Sequence, residues 1–247
     1  SWFLFARERR VYRFWHCSKS LHKVEQHGLV LDLETPPSPK IWTAGEDREK
    51  AAKLVPAGTP VLALGPTTSW EGKQWPISRY VELVKRLTAP NGIFTNARVA
   101  IFATAKEREI VQPILDVIHP ENFVDIIGKG DLLTAAACLQ RCNLVVSNDT
   151  GLMHLAAATG TPTLGLFGPS LKENYGPWGK CTGIAETTIP AQDLIRQIGQ
   201  TDETLMESLT VEAVEAAACE LWERCAKHRI KESPNLPSPA LKIVEST

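Results

Sequence analysis

The six cysteines of this 247-residue chain (Cys17, Cys138, Cys142, Cys181, Cys219 and Cys225) include no C-x-x-C pair, which removes the common zinc and dithiol frameworks. Cys138 and Cys142 lie four apart on a predicted helix and Cys219 lies among alanines, so buried free thiols of a reducing cytoplasm are expected over disulfides. No apolar run approaches the roughly 18 residues of a membrane span. The opening Ser1–Trp15 is too charged for the core of a signal peptide. Neither sign of charge dominates: 27 basic residues face 28 acidic ones, net −1, which gives no reason to expect nucleic acid as a partner. No G-x-x-x-x-G-K-[ST] loop occurs, and no G-x-G-x-x-G follows a strand, so NTPase and dinucleotide-oxidoreductase readings lose their support. There is no D-x-D pair and no internal repeat. No Ser or Cys stands where His154 would pair with it, which weakens a hydrolase reading. The hydrophobic content of 43% is ordinary, and the length suits one large or two small domains.

What is present is an alternation of strands and helices. Strands are predicted at Val61–Gly65, Arg98–Ala103, Phe123–Ile127, Asn143–Ser147, Pro162–Phe167 and near Cys181–Ala185. Between them, Ser78 is expected to cap a helix running to Leu87, with further helices over Lys106–Ile118 and Leu132–Gln140, the latter capped by Asp131. A short helix begins near Thr150-Gly151, and a last one runs from about Thr210, its cap, to Lys227. Such an order implies an α/β fold, a Rossmann-like parallel sheet with right-handed crossovers and helices on both faces. The Pro-rich Thr35–Lys40 reads as a semi-rigid linker and domain boundary. The tail after Arg229 holds three prolines and is expected to be disordered. The expected division is 1–42, 43–230 and 231–247.

Two loops carry candidate chemistry. Gly65-Pro66-Thr67-Thr68, followed by Lys73-Gln74-Trp75-Pro76, leaves the first strand with two hydroxyls and one ammonium. These groups can hold phosphate oxygens, although paired threonines are common in loops and lysine is usually solvated. Asn148-Asp149-Thr150-Gly151 follows a second apolar strand, at the strand end where open α/β sheets bind ligands. The free N–H groups and positive dipole end of the following helix suit a phosphate, and Gly151 permits close approach. Asp149 reads as that helix's cap, as a pocket residue, or as both at once. His154 lies one turn after Thr150 on the same face; a lone His among Leu and Ala is more often a hydrogen-bonded core residue. Glu107 opens the helix after the second strand, where a carboxylate is favourable in any case. Gly128-Lys129-Gly130 is a plain turn or a close pass beneath a ligand.

Asp149-Thr150-Gly151, His154, Ala156 and the strand ending Phe167-Gly168-Pro169-Ser170 together resemble the donor-site signature of glycosyltransferase family 9, which contains the ADP-heptose:lipopolysaccharide heptosyltransferases. Thr67-Thr68 with Lys73-x-Trp75-Pro76 resembles that family's second signature, and His22-x-Val24-Glu25 the segment ending its amino-terminal domain. The resemblance spans about residues 58–227 and implies the carboxyl-terminal, nucleotide-sugar-binding domain of a GT-B glycosyltransferase. On it, Thr67, Thr68 and Lys73 would hold the donor diphosphate, with Lys73 stabilising the leaving group. Asp149, Thr150, Gly151 and His154 would contact the donor, Glu107 a ribose or adenosine hydroxyl, and Gly130 would lie near the base. Here Ala103-Thr104-Ala105 stands where the family has a glycine-rich turn.

The reaction so implied is inverting transfer of a heptose from an ADP-sugar to a lipopolysaccharide core acceptor, at the cytoplasmic face of the inner membrane. No metal or other cofactor is expected, because lysine and helix amides can take the developing charge. The general base belongs to an amino-terminal Asp that no residue here matches, so residues 1–42 are expected to be the remnant of an acceptor domain in a fragment. The alternative is a module that binds a nucleotide-sugar without transferring it.

Overall fold

The computed structural model describes residues 21–201 and 203–232. Six strands form one all-parallel sheet: β1 (Val61–Gly65), β2 (Arg98–Ile101), β3 (Phe123–Val124), β4 (Leu144–Asn148), β5 (Thr163–Phe167) and β6 (Thr182–Glu186). Their order is β3-β2-β1-β4-β5-β6, so the chain starts in the middle, winds one way and then reverses. That reversal lies between β1 and β4, and it opens a crevice at the carboxyl ends of the strands.

Every residue of β1, β4 and β5 is buried, which is why these strands read as continuous apolar runs and not as alternations. Alternate residues serve different faces. Leu62 and Leu64 join a core with Leu83, Leu87, Leu221 and Trp222, under helices α3 (Ile77–Thr88), α4 (Arg108–Leu115) and α9 (Val211–Glu232). Val61, Ala63 and Ala100 join a second core with Ala51, Ala136 and Ala156. The small side chains on that face let α2 (Gly45–Leu54), α5 (Leu132–Leu139) and α6 (Gly151–Ala158) lie close to the sheet.

Some boundaries depart from expectation. Helix α3 starts at Ile77 with Pro76 in the capping position; the fixed φ of proline suits a helix entry, and Ser78 sits inside the first turn. The segment expected as Lys106–Ile118 is a tight turn, Ala105–Glu107, followed by the shorter α4. Strand β3 is reduced to two residues. Asp131 caps α5 as expected, accepting from the Thr134 amide at 2.8 Å, and Thr210 accepts from the Ala213 amide at 3.2 Å at the head of α9. That helix continues to Glu232. The tail expected to be disordered lies, from 233 on, outside the described residues, as do 1–20.

The His22-x-Val24-Glu25 segment has a local physical reason. It is a capping box at the start of α1 (Lys23–Val30): His22 accepts from the Val24 amide at 3.1 Å, and Glu25 accepts from the His22 amide at 2.9 Å. The same ring reaches the Gly176 carbonyl at 2.8 Å, docking α1 on the turn after α7 (Lys172–Tyr175).

Candidate functional site: a cleft at the strand-order reversal

A cleft of about 940 Å³ lies beyond the carboxyl ends of β1, β2 and β4. Strands β1 and β4 are paired with Gly65 level with Ser147, so the loops that leave them start side by side. This register is what brings residues some 80 positions apart into one site. Thr67, Thr68, Lys73, Glu107, Gly130, Asp149, Thr150 and Gly151 all line the cleft.

The first loop supplies Thr67, whose hydroxyl has no hydrogen bond among the described residues. The Thr68 hydroxyl is partly committed to the fold: it donates to the Trp70 carbonyl at 2.6 Å and accepts from the Trp70 amide at 3.3 Å. Lys73 closes a short turn, Glu71–Lys73. Its Nζ donates to Asp149 Oδ2 at 2.6 Å, with side-chain exposures of 30% and 8% respectively. The two loops therefore meet directly, through a pair in which the carboxylate is sheltered and the ammonium still faces the cleft.

The second loop ends β4 and begins α6. Asp149 is engaged by Lys73 and does not cap the helix; Thr150 holds the capping position and makes no side-chain cap bond. The first amides of α6 thus keep their donors for another partner. A Cβ built on Gly151 meets nothing within 4 Å, because it points into open cleft. Gly151→Val is consequently expected to fold with an unfolding midpoint within a few degrees of the parent, while nucleotide affinity falls at least about tenfold because the side chain fills ligand space. Unchanged affinity in a calorimetric titration would remove this helix end from the site.

The opposite wall comes from the loops after β2 and β3. Glu107 closes a capping box on Thr104, accepting from its amide at 2.6 Å and its hydroxyl at 2.7 Å. The favourable helix-end carboxylate foreseen for this position is present, and both bonds fall on one carboxylate oxygen. Gly128 and Gly130 have φ of +68° and +82°, and a Cβ on Gly128 would lie 2.8 Å from the Ala105 side chain. The close pass is therefore made against the neighbouring loop, and the Gly128 amide seals it by donating to the Ala103 carbonyl at 2.9 Å. Lys129 is held by Asp125 at 3.1 Å, and Arg108 holds the same carboxylate at 3.2 Å. Burial raises the Asp125 pKa, but Lys129 and Arg108 outweigh it and the net shift is downward. Between these polar groups the wall is apolar, formed by Phe102, Ile126, Leu132 and Ala135. Burial pushes the Cys138 thiol up to about 11, so it also serves as neutral wall.

His154 is placed elsewhere. It lines an adjoining hollow of about 300 Å³ with His22, Tyr175 and Trp178. Its side chain is exposed, not a core residue. Partial desolvation of the ring lowers its pKa, Asp149 opposes that, and His22 and Lys73 add to the lowering. The His22 and Trp178 rings lie 4.5 Å apart, and the Lys23 ammonium sits 5.5 Å from the Tyr175 ring centre.

Sequence reasoning passed over Asn148. It is fully buried, its Nδ2 donating to the Pro66 carbonyl at 2.8 Å and its Oδ1 accepting from the Trp75 amide at 3.1 Å. The available signal was an amide side chain ending an apolar strand, where burial without partners is costly. Among the described residues no cluster of three or more His, Cys, Asp or Glu has metal-site geometry.

Comparison with known proteins bears on the fold and the family. The chain is 30% identical over 153 residues to lipopolysaccharide heptosyltransferase 2 of Salmonella typhimurium, covering 58% of this chain and 42% of that protein. It is 32% identical over 183 residues to lipopolysaccharide heptosyltransferase 1 of Pseudomonas aeruginosa, covering 71% and 49%. It thus spans at most about half the length of these curated relatives. Among solved structures, the glycosyl transferase family 9 protein of Veillonella parvula superposes with a TM-score of 0.72 at 22% identity, over 87% of this chain and 62% of that one. The Escherichia coli ADP-heptose lps heptosyltransferase II superposes with a TM-score of 0.62 at 23% identity, over 79% and 57%. Both likenesses bear on fold, and they carry the GT-B assignment of this Rossmann-like sheet. A family model described as glycosyltransferase family 9 (heptosyltransferase) matches residues 6–197, and the chain belongs to that family.

Proposed function

We propose that the cleft binds the activated donor of a heptosyl transfer, ADP-heptose, and that the reaction is inverting transfer to a lipopolysaccharide core acceptor. The observation that carries this reading is the meeting of the two loops at Lys73 and Asp149, 2.6 Å apart, on either side of the strand-order reversal. The diphosphate would take the Lys73 ammonium, the free amides of α6 and the Thr67 and Thr68 hydroxyls. The adenine would lie against Phe102, Ile126, Leu132 and Ala135, with Gly130 beneath and the ribose toward Glu107. Asp149, on the side away from the adenine, would face the sugar, and His154 would meet only a part of the donor that reaches the adjoining hollow.

In the transfer, the bond between the sugar's anomeric carbon and the phosphate oxygen breaks and its electron pair stays with ADP. Lys73 and the helix amides hold that charge as it grows, which lowers the barrier without a divalent ion. The acceptor hydroxyl attacks from the opposite face and gives its proton to a base, which family resemblance assigns to an amino-terminal domain. Residues 43–230 are read as the donor domain, and 1–42 as the end of the acceptor side with its linker. No helix among the described residues is long and apolar enough to cross a membrane. Peripheral contact with the cytoplasmic face of the inner membrane is part of the same proposal.

Calorimetric titration with ADP, UDP and GDP tests the donor assignment. ADP is expected to bind at least about tenfold tighter than either rival, a difference of roughly 1.4 kcal/mol, and EDTA should leave its affinity unchanged. No binding by any of the three would end the reading. Tight ADP binding with no heptose transfer even when the acceptor half is supplied would favour a nucleotide-sugar-binding module.

A further inference from the structure

The loop bearing Lys73 is held from two sides by groups that do not face the cleft. At its ends, Pro66 and Trp75, the backbone carbonyl and amide both go to one side chain, Asn148, at 2.8 and 3.1 Å. Those partners leave no choice of amide orientation: a carbonyl needs the Nδ2 donor and an N–H needs the Oδ1 acceptor. On the other side runs the segment 204–209, which precedes α9. The residues flanking Lys73 each give it a carbonyl: Gly72 accepts from the Leu205 amide at 3.0 Å and Gln74 from the Thr204 hydroxyl at 2.6 Å. The Trp75 indole donates to the Leu209 carbonyl at 2.8 Å. Arg79 donates to the Leu209 and Glu207 carbonyls at 2.6 and 2.7 Å and pairs with the Glu207 carboxylate at 2.6 Å.

We infer that Asn148 and Thr204 are positioning residues that clamp the Lys73 loop between β4 and the 204–209 segment and so set where the ammonium meets the donor's diphosphate. This rests on the donor-site reading above. The backbone on both sides of Lys73 is anchored, which leaves only its side chain to move between Asp149 and a ligand. Holding a charged group in place before the ligand arrives removes the ordering cost from the binding step. The strand that supplies the clamp, through Asn148, also supplies the ammonium's resting partner, through the next residue. Clamp and counter-ion therefore share one rigid frame, and an error in loop height is passed directly to the Lys73–phosphate distance.

The test compares ADP with adenosine, which lacks the groups Lys73 would hold. In Asn148→Ala, ADP affinity is expected to fall by about tenfold, while adenosine affinity, followed by saturation-transfer NMR, stays within about twofold. Asn148 is buried and its loss leaves two backbone groups unpaired, so Thr204→Val provides a milder second variant. It keeps the shape, removes the anchor on Gln74 together with the acceptor of the Met206 amide, and should weaken ADP by roughly threefold with adenosine again unmoved. Thermal unfolding midpoints identify any variant that is not folded. If both ligands weaken equally in folded Thr204→Val, or if ADP is unmoved in both variants, these residues hold the fold and not the lysine, and the inference is overturned. A parent chain that takes up no ADP overturns the donor reading first, and the clamp's role with it.

Discussion

Lys73→Gln is expected to weaken ADP binding by about 30-fold and to lower heptosyl transfer by about 100- to 1000-fold where the acceptor half is present. The two numbers come from different states. An ammonium about 4 Å from a phosphate charge gains roughly 4 kcal/mol at a near-surface effective dielectric. The Lys73 side chain is 30% exposed, so solvent and salt reduce that to about 2 kcal/mol, or roughly 30-fold. In the transition state the leaving diphosphate carries more charge, and removing one preorganised donor typically costs about 2.7–4 kcal/mol there. Glutamine is preferred to alanine because it still donates to Asp149. Lys73→Ala would leave that carboxylate, 8% exposed, without its ion-pair partner, at about 1–3 kcal/mol of stability, so its unfolding midpoint should fall as well. Near-parental ADP affinity and turnover in folded Lys73→Gln would take the lysine out of the mechanism.

Asp149→Asn is expected to move ADP binding the opposite way, tightening it by about tenfold. Without a ligand the ammonium is occupied by the Asp149 carboxylate, and a diphosphate must draw it away. The same carboxylate also repels the incoming phosphates across a sheltered cleft, where the interaction is less screened than at an open surface. Asparagine keeps the size and a hydrogen bond while removing both effects. Heptosyl transfer should nevertheless fall, because a carboxylate facing the donor sugar would be lost. A folded Asp149→Asn protein that binds ADP more weakly than the parent would mean that the pair positions Lys73 for its ligand, and competition would not be its role.

Part of this was readable along the chain. β1, β4 and β5 are apolar enough to be buried on both faces, so each stands out as a continuous run, and their spacing by helices forces a parallel sheet. The candidate phosphate-binding groups were visible for a related reason: hydroxyls, lysine and glycine follow directly on the ends of β1 and β4, and the family signatures fall on those same residues. Helix α2, Gly-Glu-Asp-Arg-Glu-Lys-Ala-Ala-Lys-Leu, escaped notice because it is polar nearly all round, with only Asp47 and Ala51 buried. The two-residue β3 is defined by its pairing with β2 more than by its own composition.

Sequence alone therefore determined the order of the strands with the helices between them and which loops are candidates for the chemistry, since burial pattern and turn chemistry are local properties of the chain. Tertiary structure decided which of those groups touch. Helical spacing puts His154 on the face of Thr150, but α1 and the turn at Tyr175–Trp178 are what that face meets, so the ring lines a separate hollow. Lys73 and Asp149 pair, and Asn148 spans the loop from Pro66 to Trp75, because the β1–β4 register sets Gly65 level with Ser147. A register between strands some 80 residues apart is a property of the packed sheet, and no stretch of chain records it.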